Sequence, residues 1–213
     1  MKTIKIVIID DHNIFRTGIK LVLNQVPHFE VVFNTDNAYD FIKLLPDYDV
    51  DVVLMDFNMP ALNGDEATRQ ILDLQPELKI IALTMFSDLT HYTKMIDAGA
   101  HGFVVKKASK EELQKAIENI YYGGNYFSKE ILQQLAIQSI KHQKLSKKLL
   151  TEREKEVLQL MCKGKTTDEI AELLFISIKT VETHRNHIFK KAGVRNIAEL
   201  IIWAIKNNYF TIS

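Results

Sequence analysis

Short apolar runs alternate with helical patterns over the first half of the chain. Five runs rich in Val, Ile and Leu have the length of buried strands, and each precedes a stretch with apolar residues at helical spacing. The expected strands cover 4–9, 29–33, 51–56, 78–83 and 102–105, and the expected helices cover 13–26, 37–45, 64–74, 88–98 and 110–122. Such alternation is typical of one parallel sheet with helices on both faces. The pattern therefore predicts a doubly wound, flavodoxin-like α/β domain with a five-stranded parallel sheet.

Beyond Gly123 and Gly124 the pattern is helical throughout. An amphipathic stretch at 129–140 precedes a polar, basic segment, HQKLSKK, that has the composition of a linker. Capping-box spacings and the tight turn FIS predict four further helices, at 152–162, 166–174, 178–192 and 197–208. We therefore expect an α/β domain over 1–124, a helical linker over 125–147 and a small all-α domain over 148–213.

Charge divides the chain in the same way. Of its 213 residues, 46% are hydrophobic and 25% charged, as in ordinary globular proteins, and the formal net charge is zero. Residues 1–122 hold 12 Lys and Arg against 18 Asp and Glu, a net charge of −6, whereas 123–213 hold 15 against 9, a net charge of +6. The basic half is the candidate for nucleic-acid binding.

Targeting and cysteine content point to a cytoplasmic protein. No stretch has the length of a membrane span, and the opening apolar run is too short for a signal peptide. Cys162 is the single cysteine, which excludes an internal disulfide and a cysteine-rich zinc site. We therefore expect a cytoplasmic location and no membrane partner.

Acidic and basic residues follow the expected strands where these end. Asp10 and Asp11 follow the first strand, Asp56 ends the third, Thr84 follows the fourth and Lys106 the fifth. Because parallel strands end at one edge of a sheet, these side chains are expected to converge. Acids crowded in this way repel one another unless a cation joins them, which favours a Mg²⁺-assisted phosphoryl-transfer site. Singly, each residue could equally be a helix cap, a turn residue or a surface lysine.

The helix expected at 178–192 has an apolar and a polar face. Ile178, Val181, Ile188, Phe189 and Ala192 form the apolar face, which His184 is expected to complete. The polar face consists of Lys179, Glu182, Thr183, Asn186 and Lys190. The residues expected to lie where DNA phosphates would pass are Arg185, Lys190, Lys191 and Arg195. By periodicity alone this face fits a solvated surface as well as a DNA-reading one.

Two sets of motifs resemble known families. Asp10-Asp11, LMDFNMP with Gly64, LT at 83–84 and GAHGFVVK at 99–106 resemble the receiver domain of bacterial response regulators. The segment LTEREKEVLQLMCKGKTTDEIAELLFISIKTVETHRNHIFKKAGV is similar to the LuxR-type helix-turn-helix domain. Together they resemble NarL/FixJ-type two-component response regulators.

The resemblance implies a phosphorylation-dependent transcription factor. Asp56 would accept a phosphoryl group from a sensor histidine kinase, while Thr84, Phe103 and Lys106 would serve as the phosphoryl-stabilising and switch residues. Mg²⁺ would be held by Asp10, Asp11, Asp56 and the backbone carbonyl of Asn58. The residues expected to contact double-stranded DNA are Lys179, Thr180, Glu182, Thr183, Arg185, Asn186 and Lys190. A homodimer is expected on phosphorylation, and the chain is not expected to be an enzyme beyond its own phosphorylation and slow dephosphorylation.

Two alternatives compete with this interpretation. A magnesium-dependent phosphohydrolase would use Asp56 or Asp10 as nucleophile, but haloacid-dehalogenase-type enzymes place Asp-x-Asp after the first strand and here the two acids are adjacent. That alternative also leaves the basic helical half unexplained. A phosphorylation-independent DNA-binding adaptor would need an incomplete acidic pocket, and this pocket is complete.

Overall fold

The chain forms two compact units, Met1–Tyr121 and Tyr122–Ser213. The computed structural model describes residues 2–85, 89–132 and 150–211. No helix in these described ranges is both long enough and apolar enough to cross a membrane.

The sheet confirms the predicted α/β fold but has six strands where five were expected. Its strands are β1 (Ile4–Ile9), β2 (Phe29–Thr35), β3 (Val52–Asp56), β4 (Lys79–Thr84), β5 (Gly102–Val105) and β6 (Tyr126–Phe127), in the order β2-β1-β3-β4-β5-β6. Neighbouring strands from β2 to β5 are parallel. The missed strand has two residues, too few to show the alternation by which a strand is recognised in a sequence.

Five helices connect these strands. They are α1 (Asn13–Leu23), α2 (Ala38–Leu44), α3 (Gly64–Leu74), α4 (Leu89–Ala98) and α5 (Lys110–Tyr121). Helix α1 packs with α5, whereas α3 packs with both α2 and α4, so the helices form two groups, as in a doubly wound fold. Helix α1 ends earlier than predicted, and a short 3₁₀ turn at Leu45–Asp47, containing Pro46, follows α2.

Burial of β3 on both faces explains its apolar sequence. All five of its residues, Val52–Asp56, are buried, which a strand with one face in water could not achieve. Phe41 and Phe103 are among the largest fully buried side chains of the described residues. A buried carboxylate at the end of such a strand is energetically costly unless a cation lies beside it. Asp56 is therefore a candidate functional residue at this edge of the sheet.

Four helices make up the described part of the second unit after residue 150. They are α6 (Glu152–Cys162), α7 (Thr167–Leu174), α8 (Ile178–Ala192) and α9 (Ile197–Lys206). Both predicted capping boxes, at Thr151 and Thr166, are formed, and the Ser177 side chain accepts from the N–H of Thr180. Helix α7 ends at Phe175 in the left-handed conformation, with φ 53°, which makes the tight turn into α8.

Part of the predicted linker cannot be compared with the structure. Residues 129–132 are helical, as expected for the start of the stretch at 129–140. The remainder of that stretch and the segment HQKLSKK lie outside the described residues. The linker boundaries at 125–147 therefore stay a prediction.

An ion pair between a buried glutamate and a half-buried lysine links α6 to α8. Oε2 of Glu154 accepts from the backbone N–H of Thr151 at 2.7 Å and lies 2.6 Å from Nζ of Lys191. Burial disfavours the charged form of Glu154, but the hydrogen bonds from Lys191 and Thr151 outweigh this effect and lower its pKa. One carboxylate thus both caps α6 and fixes α8 against it.

Replacing this carboxylate is expected to destabilise the second unit. Glu154→Ala should lower the free energy of unfolding by about 2 kcal/mol, because the cap is lost and Lys191 loses its partner. Urea denaturation of the full chain, followed by circular dichroism, measures this change. Glu156→Ala on the same helix is the control, since its pair with Arg153 is exposed and its loss should cost less than about 0.5 kcal/mol. An equal decrease in the free energy of unfolding for the two variants would contradict a structural role for Glu154.

Candidate functional site

The parallel strands bring the predicted acid-site residues to one edge of the sheet. Asp10 directly follows β1, Asp56 ends β3 and Thr84 ends β4. Lys106 directly follows β5, where Thr84 and Val105 are in register. Side chains that are far apart in the sequence therefore meet at the carboxyl ends of the strands.

Lys106 joins two buried carboxylates. Its Nζ lies 2.8 Å from Oδ2 of Asp10 and 2.8 Å from Oδ2 of Asp56. The exposed fractions of these three side chains are only 3%, 0% and 4% for Lys106, Asp10 and Asp56. The ammonium also lies 4.9 Å from the centre of the Phe15 ring, close enough for a cation–π interaction. One buried cation therefore partly neutralises two buried acids.

His12 belongs to the same cluster and was missed from the sequence. Its Nδ1 lies 2.7 Å from Oδ1 of Asp11, 3.4 Å from Oδ1 of Asp10 and 3.7 Å from Oδ2 of Asp56. The signal present in the sequence was its place directly after the acid pair. The structure thus adds one imidazole nitrogen to the three predicted carboxylates.

These four residues could hold a divalent cation. One possible ligand atom from each of Asp10, Asp11, His12 and Asp56 lies within 4.8 Å of the others. Three buried carboxylate oxygens, one on each aspartate, accept no hydrogen bond of suitable geometry, although the ammonium of Lys106 and the ring of His12 are near them. Carboxylate oxygens are the ligands that a hard cation takes, and one ammonium leaves the charge of three carboxylates only partly neutralised. The donor set therefore fits a metal ion.

The loop after β3 requires glycine at position 64. The N–H of Gly64 donates to the carbonyl of Phe57 at 2.9 Å. A Cβ at this position would lie 2.2 Å from the backbone oxygen of Asp56, well inside contact distance. The absence of a side chain is what allows α3 to begin against the strand end. Asn58 lies in this loop with its side chain exposed, and the role predicted for its carbonyl stays a prediction.

Thr84 and Phe103 are both buried, on β4 and β5 respectively. The Thr84 hydroxyl donates to the carbonyl of Met85 at 3.0 Å. The Phe103 ring is fully buried and meets the Tyr92 ring edge-on, with 6.0 Å between centroids. Thr84 therefore ends β4, and Phe103 lies on the neighbouring strand β5.

Helix α8 exposes all five residues of the predicted polar face. The exposed residues are Lys179, Glu182, Thr183, Asn186 and Lys190, at spacings of three and four. They therefore form one stripe on the helix. The helix begins at the Ser177 cap and ends at Gly193, where φ is 68°, so both ends of the stripe are fixed by local sequence.

Some residues of α8 differ from expectation. Ile178, expected on the apolar face, is 51% exposed because it lies in the first turn, ahead of the packed part of the helix. Thr180 and Arg185 are half-buried and flank the stripe, and burial lowers the pKa of the Arg185 guanidinium. Lys191, expected near phosphates, is paired with Glu154 instead.

Comparison with known proteins identifies both units. A sequence profile described as the response regulator receiver domain matches residues 6–118, which is more than half of the chain. The chain belongs to the response regulator family. A second profile, described as bacterial regulatory proteins of the luxR family, matches residues 148–204. Because both profiles describe regulatory domains, the phosphohydrolase alternative is wrong for this response regulator.

Relatives match this response regulator along nearly its whole length. The transcriptional regulatory protein DegU of Brevibacillus brevis is 34% identical over 98% of this chain and 96% of its own. The oxygen regulatory protein NreC of Staphylococcus aureus (strain JH9) is 38% identical over 95% of this chain and 97% of its own. These likenesses confirm the NarL/FixJ-type architecture predicted from the motifs.

A solved structure also resembles the chain. RcsB from Salmonella enterica serovar Typhimurium, bound to promoter rprA in the presence of the phosphomimetic BeF₃⁻, is similar with a TM-score of 0.58 and 29% identity. The match covers 94% of this chain and 98% of that chain. That structure therefore contains counterparts of both the receiver and the LuxR-family domain.

The electrostatics of the receiver pocket are dominated by Asp56. Its pKa is raised to about 6, mainly by burial and with a contribution from Asp10 and Asp11, against the opposing effect of Lys106. Because the folded chain then binds this proton more tightly than the unfolded chain, stability falls as pH rises from about 4 to about 6. Above that range the receiver bears the cost of a buried carboxylate.

Removing this charge is expected to stabilise the receiver when no divalent cation is added. At about pH 7.5, Asp56→Asn should raise the free energy of unfolding by about 2 kcal/mol, and at about pH 4 the gain should vanish. Urea denaturation at both pH values measures the effect. Asp73→Asn, at an exposed position of α3, is the control and should change neither value. A gain that is equal at both pH values would show that the negative charge of Asp56 is not its cause.

Proposed function

We propose that this response regulator accepts a phosphoryl group on Asp56 from a sensor histidine kinase and controls transcription through helix α8. The placement of Asp56 supports its role as the phosphoryl acceptor. Its carboxylate stands at the end of a buried strand, 2.8 Å from the ammonium of Lys106 and beside two further carboxylates. Phosphoryl transfer needs mainly an aligned nucleophile and positive charge around the transferred group, and this arrangement supplies both.

Mg²⁺ is the cofactor that best suits the carboxylates. Asp10, Asp11, Asp56 and the backbone carbonyl of Asn58 would hold it, in keeping with the preference of Mg²⁺ for oxygen ligands. When bound, the ion supplies charge that neutralises the phosphoryl oxygens. The close grouping of three carboxylates around a single ammonium supports this assignment.

Three residues would respond to the phosphoryl group. Lys106 would pair with a phosphoryl oxygen, and the Thr84 hydroxyl, now donating to the Met85 carbonyl, would turn to donate to another. Phe103 lies on the neighbouring strand β5 and would act with Thr84 as a switch. Phosphorylation would then shift an equilibrium between two arrangements of these side chains.

The exposed stripe of α8 is proposed to read DNA. Glu182, Thr183 and Asn186 have the short polar groups that suit base edges in a major groove, and Lys179, Thr180, Arg185 and Lys190 would contact the backbone or support those contacts. The similar RcsB structure is bound to a promoter, which supports a DNA role for this chain as well. A homodimer formed on phosphorylation would place two such helices on one operator.

The phosphoryl acceptor can be tested with a small phosphodonor. Full-length protein incubated with acetyl phosphate and Mg²⁺ should gain about one hydroxylamine-labile phosphoryl group per chain. Asp56→Asn should gain none, and Asp73→Asn should behave as the unmodified chain. Intact-protein mass spectrometry at neutral pH measures the label. Labelling that survives in Asp56→Asn would place the acceptor elsewhere.

The DNA face can be tested by two substitutions with different expected effects. Asn186→Ala should reduce the preference for operator over random DNA by about 1–3 kcal/mol, because a base contact is lost. Lys190→Ala should weaken binding to both DNAs alike and reduce the salt dependence, because a phosphate contact is lost. Fluorescence anisotropy across a salt series measures both quantities, with Lys206→Ala, exposed at the end of α9, as the control. If Asn186→Ala leaves the preference unchanged, this face does not read bases.

A further inference from the structure

Ile178 begins helix α8 with half of its surface in water. It is the first residue of the helix, and 51% of its surface is exposed. The buried residues of α8 are Val181, Ile188 and Ala192, so Ile178 is not part of its buried core. Ser177 supplies the cap of this end, so helix formation does not require an isoleucine at the next position. Neither core packing nor capping therefore explains this residue.

Ile178 borders a shallow cleft between α7 and the start of α8. Apolar lining comes from Ala171, Phe175 and Ile178, and the Phe175 side chain is 94% exposed. Singly exposed apolar residues are common on proteins, but a group of them beside a helix proposed to bind DNA marks a contact surface. Asp168 and Glu172 also line the cleft and are exposed. Because these carboxylates repel phosphate, the cleft suits an uncharged part of the DNA.

Ile178 also extends the exposed stripe of α8 at its N-terminal end. It lies four residues before Glu182, a spacing that makes the two side chains neighbours on one helix face. The next residue along the chain, Lys179, already belongs to the stripe. In helix-turn-helix proteins, the N-terminal residues of the second helix contact base edges. Ile178 is therefore grouped with the residues proposed to contact bases.

We propose that Ile178 contacts the C5 methyl group of a thymine in the operator and so helps to determine which sequence is bound. The inference rests on the proposed DNA-reading role of α8 and adds an apolar contact to its polar ones. The thymine methyl is the apolar group that base edges offer in the major groove, and apolar side chains recognise it. Cytosine carries a hydrogen at that position, so burial of the methyl group against Ile178 favours thymine by about fourfold.

The test replaces single thymines by deoxyuridine, which lacks only this methyl group. An operator is first selected from random double-stranded DNA with the full chain, treated with acetyl phosphate and Mg²⁺. Each thymine is then replaced in turn, and fluorescence anisotropy at one salt concentration measures the dissociation constants. At one thymine or more, the unmodified chain should bind the deoxyuridine DNA about fourfold more weakly. Ile178→Ala should bind both DNAs equally there, within about 1.5-fold, because the side chain that contacts the methyl group is gone.

Two further variants serve as controls. Leu173→Ala shortens a side chain with the same exposed fraction, 51%, but on α7, and should leave the thymine preference unchanged. Ile178→Val keeps a branched apolar side chain at the same position and should keep most of the preference. Both substitutions are at exposed positions, so the fold is retained in each variant.

Three results would contradict the proposal, and they differ in what they overturn. If Ile178→Ala shows the same loss as the unmodified chain at every thymine, Ile178 contacts no methyl group, while base reading by the polar stripe stands. If Leu173→Ala abolishes the preference as well, the effect does not belong to Ile178. If the unmodified chain does not distinguish the selected operator from random DNA, the proposed DNA-reading function itself fails, and the role of Ile178 fails with it.

Discussion

The ammonium of Lys106 holds together a cluster of acids that would otherwise repel one another. It lies within 2.8 Å of two carboxylates, those of Asp10 and Asp56, and all three side chains are buried. Buried charges of one sign are tolerated only when an opposite charge is fixed beside them. One cation for three carboxylates still leaves an excess of negative charge. That excess suits the proposed binding of a divalent cation in the pocket.

The parallel sheet is what makes this concentration of charge possible. Each strand delivers one or two polar residues at its carboxyl end, and the apolar residues before them fill the core. The same packing restricts the loops around the pocket, since Gly64 approaches the Asp56 carbonyl more closely than any other residue could. The receiver therefore holds the Asp56 carboxylate in a buried position, and burial raises its pKa.

The second unit meets a different requirement, which is to hold one helix face towards the solvent. Buried contacts fix the opposite side of α8 through Val181, Ile188 and the pair between Glu154 and Lys191. Its ends are fixed by Ser177 and Gly193, so the polar stripe is presented at a constant length and orientation within the unit. A rigid stripe suits base recognition, because little conformational freedom is lost on binding.

The sequence by itself determined much of this protein. Apolar runs of strand length that end in acids are local signals, and so are capping boxes such as the one at Thr151. Each such signal lies within one short stretch of the sequence. They predicted the α/β sheet, the helical unit and the acids of the pocket. The convergence of these acids at one edge of the sheet followed from the rule that the carboxyl ends of parallel strands lie on the same side.

Only the tertiary structure decided the remaining features. The two-residue strand Tyr126–Phe127 is too short to show a periodicity in the sequence. The direction of the His12 ring depends on carboxylates from β1 and β3, and the exposure of Ile178 depends on where packing against α8 begins. These features arise from contacts between segments distant in the chain, which local hydrophobic patterns do not encode.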